Sequence, residues 1–134
     1  MIFFFGGSDT QKIQHKSTAF LSALQKKRPD ANVIKIEEGG WSNELCEELM
    51  QSQGLFEQKV IVVVKHAFED GAAEEWVLKH LEALQESQNA FMFVESTLLA
   101  KPKKAFEKYA QTFEYFEKVE KKTSFDFLAI SAPW

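Results

Sequence analysis

Of the 16 basic residues in this 134-residue chain only Arg28 is an arginine, and cysteine occurs once, as Cys46. The planar guanidinium is the fork that reads guanine edges and phosphates in bidentate fashion. A chain with one such fork and a net charge of −4 is not built for autonomous nucleic-acid binding. A lone cysteine excludes an internal disulfide and fits a reducing, cytoplasmic setting. Long apolar runs are missing as well. The opening Met1-Ile2-Phe3-Phe4-Phe5 is far shorter than the ~20 residues a membrane helix needs, and no basic segment precedes it. It reads as a strand, with no membrane partner expected. Internal repeats and low-complexity linkers are absent too.

What is present is a bulky, ordinary globular composition: 45% hydrophobic, 27% charged and 13 phenylalanines. This length suits one domain that buries roughly two-thirds of its unfolded surface. Strand and helix patterns alternate from the first residue. The apolar run 2–5 ends at Gly6-Gly7, read as a tight turn. Ser8, three residues before Gln11, suggests a capping box for a helix ending near Arg28-Pro29, with Ile13, Phe20, Leu21 and Leu24 on its inner face. A short strand over 32–36 follows. Ser42 or Asn43 can cap a helix over 42–53 with the stripe Leu45, Leu49 and Met50.

The β-branched run 60–64 is the expected central strand. Asp70 caps the next helix, with Ala73, Val77, Leu81 and Leu84 inward and Trp76 at the edge. A fourth strand is expected over 91–94, a helix opened by Pro102, and a fifth strand over 113–116. Five strands separated by helices imply an α/β fold: a three-layer α/β/α sandwich on a five-stranded parallel sheet. Residues 1–116 form that domain, and 117–134 read as a C-terminal tail or the start of a following domain.

In such a sheet, chemistry gathers at the carboxyl ends of the strands. A phosphate loop needs a long glycine-rich arc and a Lys-Ser/Thr pair. The segment Gly6-Gly7-Ser8-Asp9-Thr10 offers neither, and Asp9 puts a carboxylate where a phosphate would lie. A dinucleotide fingerprint is absent. Glu95 ends the fourth strand and is expected to accept hydrogen bonds from loop amides or to cap the next turn. His66 ends the third. A His66–Glu95 acid/base pair would make a degenerate nucleotide-binding or hydrolytic α/β domain, the alternative reading. His15 and His80 read as surface or boundary residues, Cys46 as a small buried apolar one, and no metal-ligand spacing occurs.

The segment Gln51-Ser52-Gln53-Gly54-Leu55-Phe56 stands apart. A Leu-Phe pair between a helix and a strand, after Gly54 and before Glu57, is either a plug for the end of the core or a hook for a partner. Here the residues resemble a known family. Phe3-Phe4-Phe5-Gly6-Gly7-Ser8-Asp9, the block Gly54-Leu55-Phe56-Glu57-Gln58-Lys59-Val60-Ile61-Val62-Val63-Val64-Lys65 and the strand over 91–95 resemble the N-terminal domain of the delta subunit of the bacterial DNA polymerase III clamp loader. The likeness covers about residues 1–116.

It implies a P-loop-NTPase-like (AAA+-type) domain without a functional P-loop, with no cofactor and no ATP hydrolysis, inside a polymerase holoenzyme. It also implies that Leu55 and Phe56 enter a hydrophobic pocket on the sliding clamp, the beta subunit, and spring one ring interface during DNA replication. Gln51 or Gln53 would add a polar contact. A full delta subunit continues into a lid and a helical collar that joins the other loader subunits, so DNA is met only through the complex. Burying one Leu and one Phe is worth about 1.5–3 kcal/mol each before association costs. That is enough to bias a ring interface near balance.

Overall fold

Strand and helix alternate along the described residues, 1–51 and 59–118 of the computed structural model. In chain order they are β1 (Ile2–Gly7), α1 (Thr10–Lys27), β2 (Asn32–Ile36), α2 (Asn43–Gln51) and β3 (Val60–Lys65). A 3₁₀ turn (Ala67–Glu69), α3 (Gly71–Glu86), β4 (Ala90–Val94), α4 (Ala100–Tyr109) and β5 (Thr112–Phe116) complete the order. The five strands form one all-parallel sheet, ordered β2-β3-β4-β1-β5. The expected α/β fold holds, with helices on both faces.

Handedness decides which face each helix takes. Parallel crossovers are right-handed, so connections running in opposite directions across a sheet lie on opposite faces. The step from β1 to β2 runs one way and carries α1; the three later steps run the other way. Accordingly Phe3, Phe5, Ile61, Val63 and Met92 pack with α1 through Ile13 and Leu24. The alternate residues Ile2, Phe4, Val62, Phe91 and Phe93 pack against α2, α3 and α4. On that second face Phe106 of α4 is fully buried, its ring 4.6 Å from Phe4, 5.2 Å from Phe93 and 5.5 Å from Phe68. Interior strands buried on both sides explain apolar runs that do not alternate.

Several local expectations change. The N-cap of α1 is Asp9, whose carboxylate accepts the Lys12 N–H, whereas the Ser8 hydroxyl accepts the Lys118 N–H at 2.8 Å. Gly6 and Gly7 belong to β1 rather than to a turn. Gly7 has φ +125° beside β5, and a Cβ there would lie 2.0 Å from the Phe116 carbonyl oxygen, so only glycine fits. The middle strand is β4, with β3 next to it; β-branching marks burial, and strand order comes from the crossovers. Trp76 is buried, not at the edge, stacked on His80 at 4.1 Å and edge-on to Trp41 at 5.6 Å. Ser42 caps α2 through the Leu45 N–H. Cys46 is buried, and desolvation pushes its thiol up to about 12, an inert apolar filler. Of the tail 117–134, all but Glu117 and Lys118 lies outside the described residues.

Candidate functional site

The first strand end carries no long phosphate loop. Only Ser8 and Asp9 separate β1 from α1. The Gly7 N–H donates to the Ser96 carbonyl (3.2 Å) and the Asp9 N–H to the Phe116 carbonyl (3.1 Å). The Asp9 carboxylate occupies the helix N-terminus. The Gly7, Asp9 and Lys12 amides are thus spent inside the protein, and the two-residue connection is too short for a phosphate loop. Arg28, the single guanidinium, donates to the Gln88 carbonyl and touches the Met1 sulfur, a structural use.

At the ends of β3 and β4, Glu95 is 2% exposed. Its Oε2 accepts the Ala67 N–H at 2.9 Å and its Oε1 the Phe68 N–H at 3.4 Å, so the carboxylate ties down the 3₁₀ turn after β3. This is the loop-amide role expected from the sequence. Burial pushes the carboxyl up to about 7; the two amides oppose that shift, and Glu69 and Glu74 add to it. His66 adopts a left-handed backbone (φ 54°) as the chain leaves β3, and its N–H donates to the Val94 carbonyl at 2.9 Å. Its Nδ1 is buried without a hydrogen-bond partner, 3.8 Å from Glu69 Oε2. The two residues share one cleft, but no hydrogen bond or ion pair joins them among the described residues. A general base needs a positioned proton-transfer partner, and here the carboxylate is committed to backbone amides.

At the opposite end of the sheet, α2 stops at Gln51 and β3 starts at Val60. Leu55, Phe56 and Gln53 lie between, outside the described residues, as does the side chain of Gln51. The flanks of this connection are fastened by one side chain. Asn89, 3% exposed, donates Nδ2–H to the Leu49 carbonyl at 2.7 Å and accepts the Val60 N–H on Oδ1 at 3.0 Å. The Ser87 hydroxyl adds a bond to the Met50 carbonyl, and the Asn32 N–H donates to the Lys59 carbonyl. The sequence reasoning missed Asn89. Its one signal is an amide at the mouth of an otherwise apolar strand.

Among the described residues no group of three or more His, Cys, Asp and Glu side chains could hold a metal ion, and no helix is long and apolar enough to cross a membrane. His15 is exposed; His80 is half-buried, its Nδ1 on the Trp76 carbonyl at 2.7 Å. No protein-family model matches the chain, and no curated protein matches it in sequence.

Proposed function

We propose that this chain is a non-catalytic interaction domain of the clamp-loader delta type, which grips a bacterial DNA sliding clamp with Leu55 and Phe56 and helps open the ring during DNA replication. In this reading the domain works in the cytoplasm. It meets other loader subunits through a collar when the whole protein carries one, and DNA only through the complex. The observation that carries it is the Asn89 anchor. Both flanks of residues 52–58 are held by one buried amide, which limits the ordering entropy that a hook must lose on docking. The two-residue first loop, with the Asp9 carboxylate at the head of α1, supports a domain that does not work on nucleotides.

Two apolar anchors worth about 1.5–3 kcal/mol each, less association costs, fall short of the roughly 8 kcal/mol of micromolar binding, which is reached only if polar contacts such as Gln51 or Gln53 contribute. The test measures clamp binding and thermal stability on one sample of the double variant Leu55→Ala, Phe56→Ala. A hook predicts loss of detectable clamp binding with a melting midpoint that barely moves. A plug predicts the reverse, a loss of about 5–10 kcal/mol of stability, the sum of two large-to-small core changes, and that outcome would remove the proposal.

A further inference from the structure

The α1 side of the sheet holds a cavity of about 430 Å³, the size of a small-molecule site. Its existence follows from the topology: one crossover helix covers this face, three cover the other. The floor is Val63, Met92 and Val94, and one wall is the polar flank of α1, with Gln14, Ser17 and Thr18. The opposite wall ends in two lysines. Alternation along β2 and β3 should place apolar residues on this face, as it does at Val33, Ile61 and Val63. Two steps beyond Val33 and Val63 the same alternation delivers Lys35 and Lys65, and both line the cavity. The register sets Lys35 beside Val63 and Lys65 beside Val94. The two ion pairs among the described residues, His66–Glu69 and Lys79–Glu75, include neither lysine. Glu37 stands at the same mouth, and the buried Glu95 at the closed end spends both oxygens on the Ala67 and Phe68 amides.

We propose that this cavity binds a small organic monoanion with an apolar body, its carboxylate between Lys35 and Lys65 and its body on Val63, Met92 and Val94. Lys35 is exposed on the edge strand β2 and Lys65 is half-buried at the end of β3, so both ammonium groups are available to a ligand at the rim of the apolar floor. Two such groups beside an apolar floor define a head-and-body ligand. The charge balance sets the valence. Glu37 at the mouth and Glu95 at the closed end oppose a polyanion, so a nucleoside triphosphate does not fit while a single carboxylate does. The site is independent of the clamp hook, at the other end of β3.

The experiment titrates the full chain with naphthoate, with its neutral analogue naphthol and with ATP, following backbone amide shifts by NMR. Submillimolar naphthoate binding is expected, with shifts centred on Val63, Met92 and Val94. Naphthol should bind about tenfold more weakly, the worth of one charge-assisted contact, and ATP no better than naphthol. Lys35→Gln and Lys65→Gln should each weaken naphthoate several-fold with an unchanged melting midpoint, and Glu37→Gln should tighten it. Equal affinity for naphthoate and naphthol, shifts away from the cavity, tighter binding of ATP, or indifference to both lysine changes would each overturn the proposal. The Leu55→Ala, Phe56→Ala variant should bind naphthoate like the unaltered chain, which keeps the two proposals separable.

Discussion

The two ends of β4 solve the same problem with different chemistry. Before the strand, Asn89 reaches sideways to the first N–H of β3; after it, Glu95 reaches sideways to the N–H groups that follow β3. Both side chains are almost wholly buried, at 3% and 2% exposure. An amide donates and accepts while neutral, so Asn89 also takes up the Leu49 carbonyl and ties α2 to the same point. An ionised carboxylate only accepts, and its burial is costly. The end beside residues 52–58 is therefore fastened in a way that pH does not touch, and the end beside the cavity is fastened by a group that titrates near neutrality.

The largest effect should come from the neutral end. Asn89→Ala leaves the Val60 N–H and the Leu49 carbonyl without these partners, at about 1–3 kcal/mol for each buried group. Urea denaturation should show a loss of about 2–5 kcal/mol. A loss below about 1 kcal/mol would break the comparison, because the anchor would then carry no weight.

Glu95→Gln sharpens it. The folded carboxyl titrates near 7 against an ordinary value of 4.5, so the folded protein binds the extra proton between those values. Stability from this group is complete below about 4.5 and is lost as pH rises through about 7, by about 3 kcal/mol at most. The Met1 amino group works the opposite way. Burial, and then Arg28, bring it from 8.0 down to about 6, so its contribution rises with pH over that span. Denaturation of the unaltered chain and the variant at about pH 5 and about pH 8 isolates Glu95. The variant should lose the falling component, and parallel curves would mean that the carboxylate is not coupled to folding.

The smallest effect is expected at His66. Its left-handed backbone stores about 1 kcal/mol, and His66→Gly relieves this while loosening the unfolded chain by a similar amount. The melting midpoint should hardly shift. A large drop would show that the imidazole, whose Nδ1 faces Glu69, braces the 3₁₀ turn after all.

Much of the fold was legible because its signals are local. Continuous apolar runs mark strands buried on both faces, Asp70 announces α3 by capping Ala72 and Ala73, and Pro102 sits in the first turn of α4. The site was less so. Asp9 rather than Ser8 caps α1 because the helix starts at Thr10, and Ser8 instead accepts the N–H of Lys118, 110 residues away in sequence. Gly7 looked like turn punctuation, but close approach by β5 is what requires it. Glu95 was readable as an acceptor of loop amides; that those amides belong to Ala67 and Phe68 depends on β3 lying beside β4.

By itself the sequence determined the α/β class, the five strands and the lack of a phosphate-loop glycine arc and lysine after the first strand. These depend on residue type and spacing within a few turns of chain, which patterning and capping control directly. Strand order, the crowding of three helices on one face, and the meeting of Lys35 and Lys65 beside one apolar floor were decided only by tertiary structure. Handed crossovers bring distant segments together, and no local spacing records which strand will become the neighbour of which.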